Sequence, residues 1–227
     1  MLFLYLYVTF LLSLLVSANV EKTIFIAPSA VSPDPALGDL GLERLTPANG
    51  MLRTRLNASF LTEVGIRGTD SWYLLENLNP GQRYEVRICW LATQPTAFTL
   101  STYTVPELLE DRALLDSISS YSSAAAIPGR QGGNSDADSV LFLRISAAAD
   151  YFSLDQDLME NVPPVLADII LDPFLSNVFP KSLVPTAAWI GVVSLLAITI
   201  ARWVAREFAS VVNLAGVAEQ PDGKKVR

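Results

Sequence analysis

RYEVRICWL, residues 83–91, is the most regular stretch of the chain. Tyr84, Val86, Ile88 and Trp90 alternate with Glu85, Arg87 and Cys89. A period of two puts four large apolar groups on one face of a β-strand and the polar groups on the other. Cys89 falls on the more polar side. AFTLSTYTV, residues 97–105, reads as a second strand. ATQPT between the two is a turn, because Pro95 bars continuation of a strand. Residues 22–27 (KTIFIA), 51–60 (MLRTRLNASF), 71–76 (SWYLLE) and 139–147 (SVLFLRISA) carry the same signature. Six strands separated by turn signals predict a mainly β domain, an antiparallel β-sandwich.

The lead-in to the first strand sharpens this. NLNPGQRYEVRICW resembles the approach to a late strand in fibronectin type III and immunoglobulin-like domains. There a leucine and a Pro-Gly turn precede a corner tyrosine; here they are Leu78, Pro80, Gly81 and Tyr84. The ring packs in the core and its hydroxyl bonds a backbone group upstream. After the strands, residues 106–115 (PELLEDRALL) suggest a short helix. Residues 116–139, rich in Ser, Ala, Gly and Asp, show no apolar period and read as a flexible insertion. With that insertion the sandwich domain is expected over residues 19–150.

Residues 151–182 form a distinct segment, apolar but broken by Pro163, Pro164, Pro173 and Pro180. Pro164 can start a short helix through Leu171. Leu166, Ile169, Ile170 and Phe174 would then share a face, with Asp168 and Asp172 on another. Such a face either packs under the sandwich or rests on lipid or a membrane partner.

The ends set the topology. Residues 2–16 are almost wholly apolar and Val16-Ser17-Ala18 offers small side chains, which fits a signal peptide over residues 1–18 cleaved between Ala18 and Asn19. The n-region lacks Lys and Arg, and the alternative is an uncleaved anchor, but the run is shorter than the roughly 20 residues a span needs. Residues 183–201 (LVPTAAWIGVVSLLAITIA) carry no charge and are long enough for a transmembrane helix. A buried soluble helix rarely lacks charge for so long. Ala187 and Gly191 form a small-xxx-small pair that lets another helix approach. Basic residues in 202–227 place that tail in the cytoplasm by the positive-inside rule and the preceding domain in the lumen, a type I arrangement. The tail ends KKVR. Lys224 and Lys225, two of only four lysines, occupy the positions of a dilysine signal read by coat-type retrieval machinery.

The chemistry is sparse. The chain has no histidine and one cysteine, which removes histidine-based triads, imidazole metal ligands, zinc or redox cysteine pairs and an intrachain disulfide. No catalytic residue, cofactor or metal site is expected. Residues 19–182 hold 11 Lys+Arg against 20 Asp+Glu, a net −9, which argues against nucleic acid. Glu107, Glu110 and Asp111 read as a solvated helix face, although a glycosidase-like carboxylate pair would be invisible at this level. Asn57-Ala58-Ser59 is an N-glycosylation sequon, and an occupied site requires Asn57 to face solvent.

EKTIFIAP after the signal, LRTRLNASF, and DSWYLLENLNPGQRYEVRICWLATQPTAFTL together resemble a fungal endoplasmic-reticulum family, the GPI mannosyltransferase II co-activator. The resemblance spans residues 21–100 and the plan of signal, luminal domain, one span and short tail. It implies a non-catalytic subunit of a multi-spanning mannosyltransferase that adds the second mannose in GPI-anchor assembly. The contacts would then fall on Leu166, Ile169, Ile170 and Phe174, with Ala187 and Gly191 in the bilayer. The rival expectation is an ER-resident cargo receptor or chaperone-like adaptor.

Overall fold

The computed structural model describes residues 19–30, 40–61, 68–124 and 139–218. The chain divides into two compact units, Met1–Lys181 and Ser182–Arg227. The first is mainly β. Its strands are β1 (Val20–Ile26), β2 (Glu43–Leu45), β3 (Met51–Leu56), β4 (Thr69–Leu78), β5 (Arg83–Trp90), β6 (Thr96–Tyr103), β7 (Ser139–Ala149), β8 (Val165–Leu175) and β9 (Phe179–Pro180). Helices α1 (Val105–Glu110) and α2 (Arg112–Ala124) lie between β6 and β7, and α3 (Gln156–Glu160) precedes β8.

The strands form two sheets. One runs β1-β5-β8-β3, with β9 added to the end of β8; the other runs β2-β4-β7-β6. Among the described strands every pairing is antiparallel except that of β2 with β4. The alternation of β5 is realised: Tyr84, Val86 and Ile88 are fully buried. They join Val165, Ala167, Ile169 and Leu171 of β8 in one apolar cluster. Tyr73 and Leu75 of β4, and Leu141, Leu143 and Ile145 of β7, belong to the same cluster, so the two sheets share a single core. Each such aliphatic side chain contributes roughly 1.5–3 kcal/mol of burial.

The β4–β5 hairpin follows its turn chemistry. Asn79, Pro80, Gly81 and Gln82 close with Gln82 N–H donating to the Asn79 carbonyl at 3.0 Å, and Gly81 sits at φ 76°. Proline at the second position and a positive-φ glycine at the third define a type II turn. The Tyr84 hydroxyl accepts from Asn79 N–H at 3.0 Å and donates to Gln82 Oε1 at 3.0 Å. The upstream backbone bond expected of this tyrosine is therefore present.

The outward face of the second sheet is covered. Trp72, Leu74 and Phe142 pack with Leu108 of α1 and with Leu114 and Ile118 of α2 in a second apolar cluster. Thr104 and Glu107 form a capping box at the start of α1. Asp111 ends α1, and its carboxylate accepts from Ala113 N–H at 2.8 Å to begin α2.

Three expectations are corrected. Residues 116–124, expected to open a flexible insertion, continue α2, because Leu114, Ile118 and Tyr121 recur at helical spacing and meet the sheet. The rest of that insertion, 125–138, lies outside the described residues. The helix expected from Pro164 to Leu171 is strand β8, paired with β5 on one side and β3 on the other. Its sequence VLADIILDPFL alternates, so Ile169 points into the core while Leu166 and Ile170 point outward; the four residues expected on one helical face do not share one. Pro173 is tolerated because Leu171 N–H, of the same parity, already bonds Gly50 beyond the start of β3, leaving no β3 carbonyl opposite Pro173. Finally, the strand expected over 51–60 ends at Leu56.

The second unit is helical. A 3-10 turn, Lys181–Leu183, leads into α4 (Val184–Ala218), 35 residues long. The stretch Lys181–Ser210, the 3-10 turn with most of α4, is long and apolar enough to cross a membrane and is unburied, and it contains the expected span. At about 1.5 Å per residue the 35 residues of α4 extend roughly 52 Å, more than the hydrocarbon thickness of about 30 Å. Residues 1–18, with Ala18, and the tail from 219 on, with Lys224 and Lys225, lie outside the described residues.

Candidate interaction face

The outward face of the first sheet differs from that of the second. The registers align Lys22, Arg87, Ile170 and Met51 in one row across β1, β5, β8 and β3. The next row is Val20, Cys89, Asp168 and Arg53. Aliphatic side chains here are open to solvent, Ile26 at 61% and Met51 at 57% exposure, with Val20, Ile24 and Leu166 also exposed. Exposed aliphatics gathered on one sheet face mark an interaction surface more often than an ordinary monomer surface.

Charged groups are woven through this face and mostly paired. Glu85 and Asp172 stand directly opposite each other on β5 and β8, with side chains only 5% and 7% exposed. Like charges so placed repel. Arg87 lies between them, 3.4 Å from Glu85 Oε1 and 3.9 Å from Asp172 Oδ2, and Lys22 Nζ reaches Glu85 Oε2 at 3.3 Å. One row on, Arg53 grips Asp168 with two bonds, Nε to Oδ1 at 2.6 Å and Nη2 to Oδ2 at 2.8 Å. The guanidinium holds the Asp168 carboxyl below the usual carboxylate range. That contribution is complete above the ordinary aspartate value and is lost only as pH falls through the depressed one. The outward residues of the four strands include five cations (Lys22, Arg53, Arg55, Arg83 and Arg87) against three carboxylates (Glu85, Asp168 and Asp172). The face is thus net positive on an acidic domain.

A cleft of about 330 Å³ opens on this face among Arg53, Cys89, Leu91, Leu166 and Asp168. Burial pushes the Cys89 thiol up, Arg87 pulls it partly back, and the Asp168 charge adds a smaller upward push. A thiol so held is protonated at neutral pH and a poor nucleophile. What the arrangement offers is an apolar surface with fixed charges.

The expected contact residues separate. Leu166 and Ile170 belong to the open face. Ile169 is fully buried in the core and Phe174 is buried, with Arg83 over its ring at 5.8 Å. Ala187 and Gly191 are exposed on α4. Asn57 is exposed one residue past β3. Sequence reasoning missed the contribution of β1 and β3, although Val20, Ile24, Met51, Arg53 and Arg55 alternate in the sequence with inward residues and could have been read by the same period of two.

These features define a mainly β domain followed by a long apolar helix, with one sheet face capped by helices and the other open and ion-paired. Residues 48–159 match the family model of the GPI-mannosyltransferase II co-activator, so through this stretch the chain is similar to that family. The match runs from just before β3 into α3, so β1 and β8 lie outside it. The family implies a co-activator role for GPI mannosyltransferase II, and hence a partnership with that enzyme. No curated protein and no solved structure matches the chain.

Proposed function

We propose that the chain is a non-catalytic, single-pass subunit of the endoplasmic-reticulum membrane that supports the mannosyltransferase adding the second mannose to GPI precursors. The observation that carries this reading is the family match over residues 48–159. In this reading residues 1–18 are a cleaved signal, the sheet domain is luminal, α4 spans the bilayer and the tail is cytoplasmic. The paired sheets with their common core are a β-sandwich. Asn57 carries a glycan, and Lys224 and Lys225 return the protein to the ER.

The enzyme is multi-spanning in this account and meets the chain at two places. The open face of the first sheet, around Leu166, Ile170 and Met51, takes a luminal part of the enzyme that is apolar with acidic groups, complementing the excess of cations there. Ala187 and Gly191 of α4 take a neighbouring helix in the bilayer. Binding at both would hold the enzyme in its active arrangement without supplying a reacting group.

Depleting the protein and profiling lipid-linked GPI precursors by mass spectrometry tests this. Accumulation of the one-mannose intermediate is expected. A normal precursor profile with misrouted secretory cargo would instead make the chain a cargo receptor.

A further inference from the structure

The segment joining the sheet domain to α4 is not a slack linker. After Phe174 the chain makes a tight hairpin: Leu175 and Phe179 pair, and Val178 N–H donates to the Leu175 carbonyl at 2.9 Å. Ser176 and Asn177, between them, adopt φ 50° and 59°. Two consecutive left-handed residues make a type I′ turn, the form whose twist matches antiparallel strands. Asn177 then ties the turn to the β4–β5 turn. Its Oδ1 accepts from Arg83 N–H at 2.8 Å and its Nδ2 donates to the Gly81 carbonyl at 3.1 Å.

A turn tip held this firmly is ordinarily polar. Here Val178 is 72% exposed, and Leu175 and Phe179 are each about two-fifths exposed beside it. Lys181 follows after Pro180, and it is also the first residue of the stretch apolar enough to span a membrane. Val184, the start of α4, lies five residue steps beyond Phe179. At no more than about 3.6 Å each they reach roughly 18 Å. Chain length alone therefore keeps this apolar tip close to where the span meets the headgroups.

We infer that the turn Leu175–Phe179 is a membrane seat: Val178 and Phe179 enter the interfacial layer of the bilayer, and Lys181 meets lipid phosphates. The occupant is a lipid surface. The tip is continuous with the span, and a short apolar element flanked by a lysine matches the layered chemistry of headgroup and acyl chain. Through Asn177 the seat is tied to the β4–β5 turn of the sheet domain. The inference rests on the reading of α4 as a span.

The test uses the full chain in phosphatidylcholine nanodiscs with Cys89→Ser as background. Nitroxide labels are placed one at a time at Val178→Cys, Ile198→Cys and Ala113→Cys, the last being exposed on α2 as an aqueous reference. Accessibility to oxygen and to a water-soluble nickel chelate is read by electron paramagnetic resonance. The expected result is a label at position 178 with oxygen access well above nickel access, shallower than the label at position 198, while position 113 shows the reverse. If position 198 reads as lipid and position 178 as water, the seat is overturned and the span survives. If positions 178 and 198 both read as water, the span itself fails and the seat with it. A label at position 178 closed to both reagents would mean it packs on protein, which also overturns the lipid assignment.

Discussion

Tyr84 shows how much one side chain settles. Its ring lies at the floor of the core and stacks near Phe25 at 5.8 Å between centroids, while its hydroxyl satisfies the turn that starts β5. Tyr84→Phe keeps the ring and leaves Asn79 N–H without its acceptor. A lost hydrogen bond at a part-buried donor costs about 1–3 kcal/mol. The expected outcome is a cooperative melt shifted down by that amount with an unchanged far-ultraviolet spectrum, measured by thermal and urea denaturation. An unshifted midpoint would mean that water replaces the hydroxyl and that the turn holds without it. Arg144 illustrates a residue whose place could not be read in advance. It is buried on the outward side of the second sheet, its guanidinium 5.9 Å from the Trp72 ring and 5.1 Å from the Tyr103 ring, with Nε unpartnered. Nothing local in SVLFLRISA marks it as buried; the rings of Trp72 on β4 and Tyr103 on β6 flank it.

At the scale of elements, β8 carries the clearest test, because its two faces have different work. Ile169 lies in the shared core, and its truncation to alanine should cost about 2–5 kcal/mol. An aspartate there would put an unpaired charge in that core and should prevent folding. Leu166 and Met51 are exposed on the outward face, so Leu166→Asp with Met51→Asp should leave the melting midpoint within about 1 kcal/mol of the parent. The same pair should abolish co-purification with the mannosyltransferase, both by removing apolar contact and by cancelling the face's positive excess. Retained co-purification with a folded double variant would move the enzyme's contact off this sheet. The strand itself was concealed by its prolines. Pro163 and Pro164 suggest a helix start, and Pro173 argues against a central strand. Strand pairing overrides both, because Pro163 and Pro164 precede β8 and Pro173 lies past the reach of β3. β5, by contrast, was legible from its own residues, since a period of two over nine residues has no helical competitor. The second half of the outward face could be placed only once registers joined β1 to β5 and β3 to β8, pairs such as Ile26 with Arg83 and Met51 with Ile170 that lie far apart in sequence. No local pattern encodes such pairings.

For the whole molecule, the unequal treatment of the two sheets is the central fact. One outward face is closed by the chain's own helices and contributes a second apolar cluster. The other keeps its aliphatics exposed while neutralising Glu85 and Asp172 with Arg87 and Lys22. Leaving a face open costs solubility, and the buried ion pairs add little stability over apolar replacements. What they do supply is fixed charge on a flat surface, useful for choosing and orienting a partner. Cys89 gives a native probe of that choice, because it lies in the cleft of this face and is the chain's one thiol. In the isolated protein maleimide labelling at neutral pH should be slower than for an unfolded-chain thiol and should accelerate as pH rises past the ordinary thiol range, since burial pushes the group up. In the complex with the enzyme the rate should fall at least severalfold further, and unfolding in denaturant should restore it in both samples. Equal rates in free and bound protein would show that the enzyme leaves this cleft open, and the contact would then rest on α4 and the small residues Ala187 and Gly191.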